Sequence, residues 1–122
     1  MKRVLLILCL VLVPVFAFAQ STTHKHNKVW NDATRLAALL SDVQHTGNFE
    51  PATWKVVANE ANMLANRIYA GASGKTAKAA AKDLRTHVRQ MRDSAMGGDA
   101  SGARQHANEA QPFVYQIIDW SM

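Results

Sequence analysis

Four stretches of this chain carry apolar residues at the 3.6-residue spacing of an amphipathic helix. They span about residues 28–45, 51–70, 75–95 and 99–120. The alternating pattern typical of strands is absent from all four, so the sequence predicts an all-α fold. Seven apolar residues on the four stripes are expected to meet in one core: Leu36, Leu40, Leu64, Leu84, Val88, Val114 and Ile117.

Short glycine-containing segments separate the four stretches. They contain Gly47, residues 71–74 and the pair at 97–98, and Asp99 can cap the fourth helix. Short connections make successive helices antiparallel, which predicts an up-down-up-down four-helix bundle. Pro112 lies inside the fourth stretch, where a kink or break is expected.

The two halves of the predicted bundle resemble each other. Residues 58–61 and 107–110 both read Ala-Asn-Glu-Ala, at an offset of 49. The apolar stripes of the preceding helices align at an offset of 48. A loop that is longer by one residue reconciles the offsets, so the bundle is predicted to be two similar helical hairpins.

The first nineteen residues have the pattern of an export signal. A basic start precedes an apolar run, and small residues at 17 and 19 suit a cleavage site. We expect residues 1–19 to be a signal peptide, 20–27 a flexible arm and 28–122 the bundle domain. The protein is then periplasmic or secreted, without a membrane anchor after cleavage. Because Cys9 is the sole cysteine, the mature chain would contain no disulfide or thiolate metal site.

Two histidines break the apolar stripes of the second hairpin. His87 falls on Leu39 of the first hairpin, and His106 falls on Val57. The two histidines lie on flanks of the same sign and at similar distances from the turn at 97–98. They therefore face each other or point away together. Met91 is one turn beyond His87, and two imidazoles with a thioether are a plausible ligand set for copper or haem iron.

Other functions find less support in the sequence. No nucleophile, base and carboxylate form an obvious catalytic arrangement, so the protein is not expected to be an enzyme. The basic residues of the third helix are interspersed with acids and lack aromatic neighbours, which argues against nucleic-acid binding. Val56, Met63 and Ala70 lie on the outer side of the second helix, where a homodimer or another protein could dock.

The segment from Gly98 to Ala110 resembles a repeated pattern of a known protein family. It reads Gly-Asp-Ala-Ser-Gly-Ala-Arg-Gln-His-Ala-Asn-Glu-Ala and is similar to the Gly…Ala-x-x-His-Ala-x-Glu-Ala pattern of the small exported metal-binding protein family. The resemblance implies a histidine-bearing four-helix bundle that binds copper and other divalent metals. His106 is the residue that matches a histidine of the family.

We therefore expect an exported helical-bundle binding protein that holds a transition metal, copper or zinc, through His87, His106 and Met91. The alternative is a periplasmic or secreted interaction protein, such as a stress chaperone, adaptor or inhibitor. It would bind a protein partner of the envelope through a helix face and would bind no metal.

Overall fold

A computed structural model describes residues 25–45 and 50–122 of the chain. Each predicted helix is present, and its ends fall within one residue of the expected positions. The described residues contain no strand. The predicted signal peptide, 1–19, and most of the predicted arm lie outside the described residues. The helices are α1 (Asn27–His45), α2 (Pro51–Gly71), α3 (Lys75–Met96) and α4 (Ala100–Ser121).

The four helices form an antiparallel bundle. Each helix packs on its neighbours in the chain, and α4 also packs on α1, which closes the bundle. Two ion pairs tie α1 to α2, Asp32 with Arg67 and Arg35 with Glu60, in the order that antiparallel helices require. The predicted fold class is confirmed. Within 25–45 and 50–122, no helix is both long enough and apolar enough to cross a membrane.

The core is the one that the apolar stripes predict. None of the seven residues expected to meet there is more than 4% exposed. Alanines on all four helices fill the spaces between these larger side chains. Leucine, isoleucine and valine at the centre with alanine around them allow the helices to approach closely, so burial of this core is the main source of stability.

Residues in and next to the turn between α3 and α4 determine its geometry. Gly98 has a φ of +79°, a conformation that residues with a Cβ rarely adopt. The Asp99 carboxylate accepts a hydrogen bond from the backbone N–H of Gly102 at 2.9 Å, so Asp99 caps α4 as predicted. A Cβ on Gly102 would collide with that carboxylate, so glycine at 102 leaves room for the cap.

Pro112 does not break α4. The helix continues from Ala100 to Ser121 with Pro112 in its interior. Pro112 and Asn108, whose carbonyl loses its usual partner, are both exposed. Water can therefore satisfy that carbonyl, and the expected break is absent.

The helical domain begins slightly before the position that the sequence suggests. The backbone N–H of His26 donates to the carbonyl of Ser121 at 3.0 Å. The imidazole of His26 stacks on the ring of Trp120, with centroids 4.0 Å apart. Asn27 already belongs to α1. His26 and Asn27, which were expected in the flexible arm, thus join the domain by packing against the end of α4.

Tyr69 joins α2 to α3. The Lys78 ammonium lies 4.2 Å from the centroid of its ring, and the Arg85 guanidinium lies 3.8 Å from it. The Lys78 ammonium also donates to the Tyr69 carbonyl at 2.6 Å. Two of the basic residues on α3 therefore hold helices together by cation–π contact.

Candidate metal centre

His87 and His106 face each other across the seam between α3 and α4. His87 lies in the second half of α3 and His106 in the first half of α4, so the short turn at 97–99 brings them to the same level. One nitrogen of each imidazole and one oxygen of Glu109 all lie within 4.8 Å of one another. Of the two arrangements that the sequence allows, the structure has the one in which the histidines meet.

Glu109 is the third member of this group. Its Oε1 lies 2.9 Å from His106 Nδ1 and 3.4 Å from His87 Nδ1. In the tautomer that carries its proton on Nδ1, His106 donates a hydrogen bond to this oxygen. The contact with His87 lacks hydrogen-bond geometry, so one carboxylate oxygen sits beside two imidazoles and is bonded to one of them.

The three side chains lie at the border between the core and solvent. The side chains of His87 and His106 are 27% and 26% exposed, and that of Glu109 is 39% exposed. The His87 ring stacks on Phe113, with centroids 5.6 Å apart and planes 11° from parallel. The site thus has an apolar wall and an open side, which an ion could use for entry.

One nitrogen of the site lacks a hydrogen-bond partner. His87 Nδ1 is buried from solvent, and no donor or acceptor of residues 25–45 and 50–122 satisfies it. A buried polar atom without a partner costs roughly 1–3 kcal/mol. A metal ion bonded to this nitrogen would remove that cost.

The charges of the site favour an ionised carboxylate. The hydrogen bond from His106 is the largest cause that lowers the pKa of Glu109 below its ordinary value. A hydrogen bond from Gln105 and the charges of the two histidines act in the same direction, and desolvation opposes them. Glu109 therefore carries the negative charge that a cation needs over a wider pH range than an ordinary glutamate.

Met91 does not share the exposure of the other predicted ligands. It is fully buried among the core residues of α3, whereas His87, one turn earlier, lies at the edge of the core. The thioether of Met91 is therefore enclosed in the core and has no contact with solvent. The nitrogen and oxygen atoms that meet at the seam come from the two histidines and Glu109.

Sequence reasoning missed Glu109 because of its angle on the helix. Glu109 lies more than 100° from the centre of the α4 stripe, which predicts a solvent-facing side chain. A helix flank at that angle can still face the neighbouring helix across a seam. The signal that could have found Glu109 is its i, i+3 spacing from His106, because side chains at this spacing are neighbours on the helix surface.

The spacing of the three side chains is compatible with a three-ligand metal site. Tetrahedral zinc has bonds of about 2.0–2.2 Å to nitrogen and carboxylate oxygen, which places its ligand atoms roughly 3.3 Å apart. The two distances from Glu109 Oε1, 2.9 and 3.4 Å, are close to that value, and the three ligand atoms all lie within 4.8 Å of one another. Among residues 25–45 and 50–122, this is the one group of three or more histidine or acidic side chains that meets the spacing for a metal.

A comparison of the chain with protein-family models, curated proteins and solved structures found no match.

Proposed function

We propose that the protein binds a divalent transition metal, zinc or copper, through His87, His106 and Glu109. The observation that carries this proposal is the approach of two imidazole nitrogens and one carboxylate oxygen to within 4.8 Å of one another at the border of the core. Neutral imidazole and carboxylate are common ligands of zinc and copper. Glu109 replaces Met91 as the third ligand in this proposal.

A hydrogen bond between His106 and Glu109 accounts for part of the same geometry without any metal. It leaves His87 Nδ1 buried at 3.4 Å from the same carboxylate oxygen, without a hydrogen-bond partner among the described residues. The second imidazole on the same oxygen therefore favours a site that coordinates an ion.

Metal binding requires the ligands to lose their protons. An ion that bonds to both Nδ1 atoms requires each neutral imidazole to carry its proton on Nε2, so the His106 proton that faces Glu109 in the metal-free site moves to Nε2. An imidazolium ring has no free nitrogen lone pair and must lose a proton before it coordinates. The affinity for metal is therefore expected to fall as the solution is acidified. An ionised Glu109 partly offsets the charge of the bound cation, since the imidazoles are neutral when they coordinate.

The test is a calorimetric titration of Zn²⁺ and Cu²⁺ into the wild-type chain and the variants His87→Ala, His106→Ala and Glu109→Gln. The protein used in these titrations is prepared without a histidine tag. We expect one equivalent of metal to bind the wild type. Each variant should lose at least about tenfold in affinity, because even an outer partner of a metal ligand is worth that much.

Two matched controls come from the same chain. Glu60→Gln changes the glutamate at the equivalent position of the first hairpin, and His45→Ala removes an exposed histidine whose Nδ1 lies 2.8 Å from the Ser41 carbonyl. Both controls should bind metal as the wild type does. Equal affinity of the wild type and His106→Ala would contradict the proposal, provided that circular dichroism shows both proteins folded.

A further inference from the structure

The outer surface of α2 exposes two large apolar side chains within the length of one helix. Val56 is 66% exposed and Met63 is 47% exposed. They belong to a row of six exposed residues that recur at alternating spacings of four and three, called here the α2 face. The six residues are Ala52, Val56, Asn59, Met63, Asn66 and Ala70.

No residue of the α2 face carries a charge. The exposed positions of α1 and α3 include several charged residues, such as Lys28 and Asp42 on α1 and Lys82 and Arg89 on α3. Four apolar residues and two amides at the 3.5-residue repeat of a coiled coil are expected to pack against another helix. Within the described residues, no other helix covers the α2 face.

The charges beside the α2 face do not oppose a second copy of it. On one flank, Glu60 accepts two hydrogen bonds from Arg35, at 2.9 and 3.2 Å, and Arg67 donates to Asp32 at 2.9 Å. These pairs are neutral, so identical flanks of this kind do not repel each other. On the other flank, the one charged residue of α2 is Lys55.

We propose that the α2 face binds a second copy of this chain, with the two α2 helices antiparallel about a twofold axis. In an antiparallel register centred at the level of Ala61, all six residues pair among themselves. The face is thus complementary to itself, as a twofold interface requires. In this register Ala52 lies opposite Ala70 of the partner subunit, Val56 opposite Asn66 of the partner subunit, and Asn59 opposite Met63 of the partner subunit.

The α2 face also divides into an apolar edge and an amide edge. At about 100° per residue, Val56 and Met63 lie on one side of its midline, and Asn59 and Asn66 lie on the other. Edges on the same side face each other when two identical helices pack antiparallel. The apolar side chains of both copies therefore form one row, and the amides of both copies form a second row beside it.

The spacing within the amide row allows hydrogen bonds between the copies. The two Asn59 residues lie about 6 Å apart along the helix axis, since each residue rises about 1.5 Å. Asn66 lies about 4.5 Å along the axis from Asn59 of the partner subunit, by the same rise. Amides at these separations can reach each other, and polar pairs of this kind fix the register of packed helices.

The ends of the α2 face let the helices approach closely. Ala52 and Ala70 of the partner subunit meet at each end of the register, and two methyl groups leave the backbones free to approach towards the shorter interaxial distances, near 8 Å. The two Lys55 side chains are attached about 18 Å apart along the axis, which is beyond the screening length of about 8 Å at physiological salt. Their repulsion is therefore small.

The size of the α2 face predicts a weak dimer. Residues 52–70 span about 27 Å of helix. One helix from each subunit gives a contact at or below about 1,200 Å², the low end of specific interfaces. We therefore expect dimers to form at micromolar concentrations and to dissociate on dilution.

Sedimentation equilibrium of the wild-type chain over a range of concentrations tests the association. The variant Val56→Glu/Met63→Glu places four carboxylates in the apolar row of the dimer and should weaken dimerisation at least tenfold. Tyr115→Glu is the control, because Tyr115 is 55% exposed on α4, away from the α2 face. Its dissociation constant should equal that of the wild type, and circular dichroism confirms that each variant is folded.

A cysteine pair tests the register in a Cys9→Ser background. Asn59→Cys/Met63→Cys should form a disulfide-linked dimer under mild oxidation, because residues 59 and 63 face each other in the proposed register. Each single variant should form much less, since equivalent residues are offset along the axis and disulfides require Cα atoms within about 7 Å.

A wild-type chain that stays monomeric at all concentrations would overturn the proposal. Dimerisation that Val56→Glu/Met63→Glu leaves unchanged, or equal crosslinking of single and double cysteine variants, would overturn it as well. All of these measurements are made without metal, so they do not depend on the site between α3 and α4.

Discussion

Glu60 and Glu109 occupy equivalent positions in the two hairpins but contact different partners. Glu60 accepts two hydrogen bonds from the guanidinium of Arg35, whereas Glu109 lies beside the two histidines. At the offset of the repeat, Arg35 falls on Asp83, so the second hairpin lacks that cation. Arginine stays charged and neutralises Glu60, whereas neutral imidazoles leave the charge of Glu109 uncompensated.

This relationship predicts that a second site can be built in the first hairpin. The variant Arg35→Asp/Leu39→His/Val57→His gives Glu60 the neighbours that Glu109 has. We expect it to bind two equivalents of zinc where the wild type binds one, as measured by calorimetry. The control, Leu39→His/Val57→His, keeps Arg35 on Glu60 and should bind the second equivalent much more weakly.

Because Leu39 is buried, circular dichroism must first show that the triple variant is folded. One equivalent of zinc bound to a folded triple variant would mean that three matching residues are not sufficient for the site.

The variant Met91→Leu tests whether Met91 is a metal ligand or only a core residue. Leucine has a similar volume, so the free energy of unfolding should fall by less than about 1.5 kcal/mol. Because Met91 is fully enclosed, the affinity for Zn²⁺ should change by less than about twofold. The same titration with Cu⁺ under reducing conditions is the stricter test, because this ion prefers thioethers. Weaker Cu⁺ binding in a variant that keeps its Zn²⁺ affinity would restore Met91 as a ligand.

Leu84→Ala tests the core. Leu84 is fully buried, and its truncation removes apolar contacts and leaves a cavity. We expect the free energy of unfolding to fall by about 2–5 kcal/mol in reversible urea denaturation. Gln90→Ala, an exposed change on the same helix, should stay within about 0.5 kcal/mol of the wild type. A similarly small effect of Leu84→Ala would show that the core is assembled differently.

The Arg35–Glu60 pair predicts a small acid-sensitive part of the stability. The hydrogen bond from Arg35 holds the pKa of Glu60 below its ordinary value of 4.5. A carboxyl whose pKa is lowered by folding stabilises the protein fully above its unfolded pKa. This contribution is lost as the pH falls through the lower folded value.

Urea denaturation of the wild type and of Glu60→Gln between about pH 2 and pH 7 measures this effect. The variant should be less stable than the wild type at neutral pH, and the difference should shrink as the pH falls below the ordinary glutamate pKa of 4.5 and through the lower folded value. The difference should be small, since the pair is exposed to solvent. A gap that widens on acidification would contradict the assigned direction.

The helices and the core could be predicted because their signals are local. Periodic apolar residues mark each helix, and glycines at 74 and 98, both with positive φ, mark two of the turns. The seams between helices were harder to predict. Val57 and Phe113 are apolar but only partly buried, and they pack against the edge of the core.

The sequence singled out His87 and His106 but left open whether they face each other, and it did not identify the carboxylate. The repeat singled out His87 and His106 as replacements of apolar residues, but it aligned Glu109 with another glutamate and so hid the difference. The packing of His26 on Trp120 was also hidden, because it joins the two ends of the described chain. Contacts between residues far apart in sequence depend on how the helices pack, and a pattern within one helix does not contain that information.

The placement of His87 and Glu109 on neighbouring helices of one hairpin has a consequence for local opening. An ion that bridges α3 and α4 would be released whenever these helices separate, so metal would slow amide hydrogen exchange of that hairpin by the factor 1 + [L]/Kd. Amides of α1 and α2 would keep their rates wherever they open without their neighbours. The metal would therefore divide a single bundle into a half that resists exchange and a half that does not.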